Sequence, residues 1–139
     1  MDLDSAERMR RVVVKLTRRF NAASTAAGLS PTEASVLGVA ARRGPIGIPA
    51  IVAAEGLNPT MLSRILNRLE KLGLAERGAV PGDLRVVQVT ATAAGQEVHR
   101  RIREERAASV AGLLADLDEA DRRRLDDSFE LLEHLIDSE

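Results

Sequence analysis

The chain has 139 residues, 45% of them hydrophobic, which suits one domain with a real core and argues against disorder. It has no cysteine and two histidines, His99 and His134; this excludes disulfides, thiolate zinc sites, cysteine nucleophiles and thiol-based redox sensing, and leaves little for any metal site. No apolar run approaches the roughly 18 residues needed to span a bilayer, and the charged start MDLDSAERMRR lacks the apolar centre of a signal peptide. A soluble, cytoplasmic protein without a membrane partner or cofactor is expected.

The net charge of −1 hides an asymmetry. Residues 1–103 carry 16 Lys+Arg against 9 Asp+Glu, and residues 104–139 carry 4 against 12. That division suggests a cationic working surface with an acidic part kept away from it.

Met9, Val12, Val13, Leu16 and Phe20 recur at helical intervals, predicting a first helix from about Asp4 to Ala27 with Gly28 as its stop. Ser30-Pro31-Thr32-Glu33 opens a second helix with a cap, an N1 proline and a capping-box glutamate. Val36, Leu37, Val39 and Ala40 form its apolar side, and Arg43-Gly44-Pro45 ends it. IPAIVAAEG, starting at Gly47 or Ile48, reads as a short third helix ended by Gly56. Asn58-Pro59 restarts helix to about Leu72, with Gly73 as the stop, so the pair follows the helix-turn-helix pattern. Ala75–Gly78 and Arg85–Thr90 read as strands joined by a Pro81-Gly82-Asp83 turn. Thr92 caps a long helix to about Asp116, and Asp118 caps a last one carrying Leu125, Phe129, Leu132, Leu135 and Ile136. The expected class is mainly α, in the order α-α-α-α-β-β-α-α. The apolar stripes of the terminal helices need a partner, and a two-fold homodimer is the commonest one.

On the fourth helix, Leu62, Ile65, Leu66, Leu69 and Leu72 fall on one face and are expected to be buried, while Thr60, Ser63, Arg64, Asn67, Arg68 and Lys71 fall on the other. The second set suits a major groove: Arg pairs with guanine O6 and N7, Asn pairs likewise with adenine, and Thr and Ser reach base edges or phosphates. Solvated surface helices carry the same residue types, so the hairpin separates the two readings. It follows the helix within a few residues, carries Arg77 and Arg85, and has Asp83 placed to hydrogen-bond either guanidinium. An Arg-tipped hairpin beside a groove helix suits the adjacent minor groove. No nucleophile–base–orienter set, phosphate loop or carboxylate pair supports an enzyme. A helical dimer that binds another protein and no DNA is the alternative; the polar row argues against it, because protein-interface centres favour aromatics.

The run from Asn58 to Leu74 (NPTMLSRILNRLEKLGL), followed by Arg77, Asp83-x-Arg85 and Val89-Thr90-x-x-x-x-Gly95, resembles the MarR (multiple antibiotic resistance regulator) family, as does the Ser30-Pro31-Thr32-Glu33-Ala34 helix start. The resemblance implies a winged helix-turn-helix over residues 30–91 with a two-stranded β wing. Residues 1–29 and 92–139 would form a helical dimerisation domain. It also implies a transcriptional regulator, most often a repressor, that binds palindromic double-stranded DNA as a homodimer. Thr60, Ser63, Arg64, Asn67 and Arg68 would face DNA from the helix and Arg85 from the wing tip, with Asp83 orienting Arg85. Pro59, Lys71 and Arg77 complete the candidate DNA-binding set. Release by a small effector such as an aromatic carboxylate, bound in a cleft between the two domains, is a further implication, with Arg11, Lys15, Arg18, Arg19 and Phe20 as candidate contacts. The sequence departs from the pattern in having no Tyr or Trp to line an aromatic pocket.

Overall fold

A computed structural model of the chain describes residues 2–138. Six helices and three strands follow in the order α1 (Leu3–Ala26), α2 (Pro31–Arg43), β1 (Ile46–Gly47), α3 (Ile48–Glu55), α4 (Pro59–Lys71), β2 (Ala75–Val80), β3 (Asp83–Ala91), α5 (Ala93–Leu114) and α6 (Glu119–Asp137).

Local chemistry sets most of these boundaries. Asp2 caps α1, its carboxylate accepting from the Ser5 N–H at 2.7 Å. At α2 both halves of the capping box form: the Glu33 N–H donates to Ser30 Oγ at 3.1 Å, and the Ser30 N–H donates to Glu33 Oε1 at 2.8 Å. The Met61 N–H donates to Asn58 Oδ1 at 2.8 Å to cap α4, with Pro59 at its first position. That helix ends in a Schellman motif, in which the Leu74 N–H donates to Leu69 O and the Gly73 N–H to Glu70 O, both at 2.9 Å. Gly73 supplies the left-handed backbone the motif needs, at φ +74°.

The sheet departs from expectation. It has three antiparallel strands in the order β1-β3-β2: the expected two-stranded hairpin forms as β2–β3, and the short β1 adds a third strand beside β3. Ile46 pairs with Val89 and Gly47 with Gln88. Two residues are too few to show a strand period in sequence, and their partners lie some forty positions away. The hairpin is also longer than predicted. Val80 pairs with Asp83, so Pro81-Gly82 alone makes the turn, and Asp83 already belongs to β3.

By contact the chain forms two compact units, Met1–Arg106 and Ala107–Glu139. Among the described residues every buried hydrophobic one, from Ala23 to Ile102, lies in the first. Val36 and Leu37 of α2, Ile51 of α3, Leu62, Leu66 and Leu69 of α4, and Val89 of β3 are essentially inaccessible and make the centre of that core. Leu72, expected with the buried row of α4, is 46% exposed, because it is the C-cap residue past the last turn. Gly95 lies where the start of α5 crosses the Leu74 carbonyl: a Cβ there would sit 1.9 Å from that oxygen. In the second unit α6 has no buried residue.

Candidate nucleic-acid interface

The four leucine and isoleucine positions that stay buried on α4 (Leu62, Ile65, Leu66, Leu69) turn the opposite row outward. Pro59, Thr60, Ser63, Arg64, Asn67, Arg68 and Lys71 are all exposed. Arg64 has no ion-pair or hydrogen-bond partner among the described residues, whereas two members of the row are engaged within the chain. Arg68 Nε lies 2.6 Å from Glu33 Oε2, and Arg68 Nη2 donates to Gly28 O at 3.2 Å. Asn67 Oδ1 accepts from Arg77 Nη2.

Strand alternation places the wing residues. Arg77 on β2 pairs in register with Val89 on β3, and Val89 is fully buried, so both side chains lie on the sheet face turned to the core. Arg85 lies in the irregular stretch of β3 between the Val87–Ala79 and Asp83–Val80 pairs, next to the turn. From the core-facing side Arg77 reaches α4: its Nε donates to Glu70 Oε1 at 2.5 Å and its Nη2 to Glu70 Oε2 at 3.4 Å. A groove-like cavity of about 490 Å³ separates the N-terminal half of α4 (Leu62, Ser63, Leu66) from Gly78, Ala79 and Val87 of the wing. The Arg77 fork thus links the wing to α4 through polar contacts.

Asp83 does not take the partner expected of it. Its Oδ1 accepts from the backbone N–H of Arg85 at 3.0 Å, and it bonds neither guanidinium. A short carboxylate side chain closes on the N–H two residues ahead more readily than on a distant side chain, so Asp83 shapes the start of β3. The Arg85 guanidinium has no partner among the described residues. Sequence reasoning also missed Glu33 and Glu70 as supports of the interface. Glu70 sits three positions after Asn67, on the same side of α4, and that spacing was its one signal.

The five α1 residues considered for an effector are placed as follows. Arg11, Lys15, Arg18 and Arg19 are exposed, Phe20 is half-buried, and Phe20 O accepts from Arg106 Nε at 3.3 Å. None of them lines the α4–wing cavity or the smaller ones, of about 210 Å³ between α1 and α5 and about 230 Å³ outside the wing. His99 on α5 is buried, with Nε2 unpartnered. Its imidazole packs where a Cβ on Gly38 of α2 would lie 3.3 Å from Cε1. Burial first, then the positive charges of Arg42, Arg103 and Arg106, push its pKa below the ordinary 6.5. Among the described residues no three His, Asp or Glu side chains gather to hold a metal, and no helix is long and apolar enough to cross a membrane.

The MarR family model matches residues 27–85, which hold α2 through the wing tip. The uncharacterized HTH-type transcriptional regulator Mb0904 of Mycobacterium bovis is 26% identical over 125 residues, covering 90% of this chain and 87% of its own. The crystal structure of RV1404 from Mycobacterium tuberculosis superposes with a TM-score of 0.84 at 18% identity, over 96% of this chain and 94% of that one. A MepR mutant from S. aureus, solved bound to an oligodeoxyribonucleotide, gives a TM-score of 0.70 at 15% identity, over 96% of this chain and 99% of that one.

Proposed function

We propose that the chain, whose residues 27–85 match the MarR family model, is a DNA-binding, non-enzymatic regulator that acts in the cytoplasm as a homodimeric repressor of a palindromic operator, released by a small effector. The observation that carries this is the exposed row Thr60, Ser63, Arg64, Asn67, Arg68 and Lys71, bridged by Arg77 to a wing whose tip bears Arg85. In this reading the row on α4 enters a major groove, with Pro59 at the mouth of the helix, and Arg85 enters the neighbouring minor groove. Asp83 sets the backbone from which Arg85 projects. Residues 30–91 act as the DNA-binding part, and residues 1–29 and 92–139 act in dimerisation.

Exposed apolar side chains support the dimer. On α1 these are Met9, Val12, Val13 and Leu16; on α6 they are Phe129, Leu131, Leu132, Leu135 and Ile136. Rows of this kind on two helices are the usual material of a self-complementary interface. Arg11, Lys15, Arg18 and Arg19, with Phe20, are the candidate contacts for an anionic effector. In this reading the partner copy supplies further walls of their site. An effector that favours one spread of the dimer draws the population from the spread that fits DNA.

Selection of bound duplexes from a random pool, with sedimentation of the free protein, tests the reading. The expected result is a dimer and an inverted repeat whose half-sites lie about 34 Å apart or a multiple of it. A monomer that enriches no duplex at low ionic strength overturns it.

A further inference from the structure

We infer that Arg77 sets the polarity of the Asn67 amide and so decides which base edges Asn67 reads. The inference rests on α4 being the groove helix and adds a specificity rule to it.

A guanidinium has only donors, so the amide atom that meets Arg77 Nη2 has to be the carbonyl oxygen. Turning the amide over would set NH₂ against N–H and lose the bond. Arg77 is itself held firmly. Its two contacts to the Glu70 carboxylate, at 2.5 and 3.4 Å, orient the plane of the fork. Its backbone is pinned in register opposite the buried Val89.

The consequence is chemical. Bidentate recognition of adenine needs the Asn oxygen and nitrogen presented together, one to accept from N6 and one to donate to N7. With one lone pair of its oxygen already taken by the Arg77 cation, the end of Asn67 left wholly free is its NH₂ group, a donor. Such a group matches acceptor edges, guanine O6 and N7 or thymine O4, and meets the adenine amino group as donor against donor. Arg77 thereby acts on specificity without touching DNA; it is a positioning residue.

The experiment measures binding to duplexes carrying each base in turn at every half-site position, for the wild type, Asn67→Ala and Arg77→Met. Asn67 is exposed, so its alanine variant leaves the core intact and identifies the position read: the one whose discrimination it flattens. The expected wild-type preference there is guanine or thymine over adenine by about tenfold. Arg77→Met releases the amide and moves that preference toward adenine, while the slope of log K against log salt stays at the wild-type value. A direct phosphate contact by Arg77 would instead lower that slope by about one. If the position carries guanine, 7-deazaguanine there weakens wild-type binding, an arm that needs no variant to fold. Adenine at the wild-type position, an unchanged preference in Arg77→Met, a lowered salt slope, or an Asn67→Ala variant that flattens no position each overturns the inference. A wild-type protein that binds no duplex at all removes the groove reading beneath it.

Discussion

Arg68 on α4 and Glu33 on α2 meet at 2.6 Å, and the same Glu33 carboxylate closes the capping box on the Ser30 N–H at 2.8 Å. One buried acid thus starts one helix and anchors the last turn of another. Arg64, one turn earlier on α4, has no such tie among the described residues.

The two arginines therefore separate by measurement. Arg64→Ala is expected to weaken binding of the selected duplex by about 1–3 kcal/mol with no change in melting temperature. Arg68→Ala is expected to weaken binding and also to lower stability by about 1 kcal/mol, since it leaves Glu33 without its cation. Thermal melts beside binding titrations check this. Equal melts for the two variants would mean that the Glu33 pair carries no structural weight.

Glu33→Ala removes the capping carboxylate and the Arg68 partner together. A loss of about 1–3 kcal/mol in urea unfolding is expected. Glu33→Gln keeps an oxygen for the Ser30 N–H and should lose less. A glutamine variant as unstable as the alanine one would assign the whole effect to charge.

At the wing tip, the Arg85 guanidinium has no described partner to lose. Arg85→Ala should leave the melt unchanged and reduce the salt slope of duplex binding by about one. A much lower melting temperature with normal binding would make the wing a structural element only.

Gly95→Ala should be severely destabilising, because the new Cβ meets the Leu74 carbonyl oxygen at 1.9 Å and Leu37 Cδ1 at 3.2 Å. Backbone has to shift to admit it, at a cost of about 1–3 kcal/mol or more. Circular dichroism melts decide the matter. Gly112→Ala, where a Cβ meets nothing within 4 Å, is the control expected to be tolerated.

His99 gives stability a pH dependence. Its folded-state pKa is lowered by burial and by Arg42, Arg103 and Arg106, so the unfolded chain binds the proton more readily. Its contribution is present in full above the ordinary 6.5 and is lost as the pH falls below it. Urea unfolding at pH 7.5 and 5.5 should show the wild type weaker at the lower pH and His99→Leu with a smaller difference. An identical difference in both would place the acid sensitivity elsewhere.

Much of this protein is local, and what is local was readable. The caps at Ser30 and Asn58, the capping-box Glu33, the stops at Gly28, Gly56 and Gly73 and the buried row of α4 each depend on residues within a turn of one another. Hydrogen bonds of that span close on residue type and spacing alone. The remainder depended on which distant groups the fold brings together. Strand β1 exists because Ile46 finds Val89, and Arg77 turns from Asp83 to Glu70 and Asn67 because the sheet aims it at α4. A long side chain beside several acceptors takes the one its backbone points toward, and that direction is a property of the assembled core.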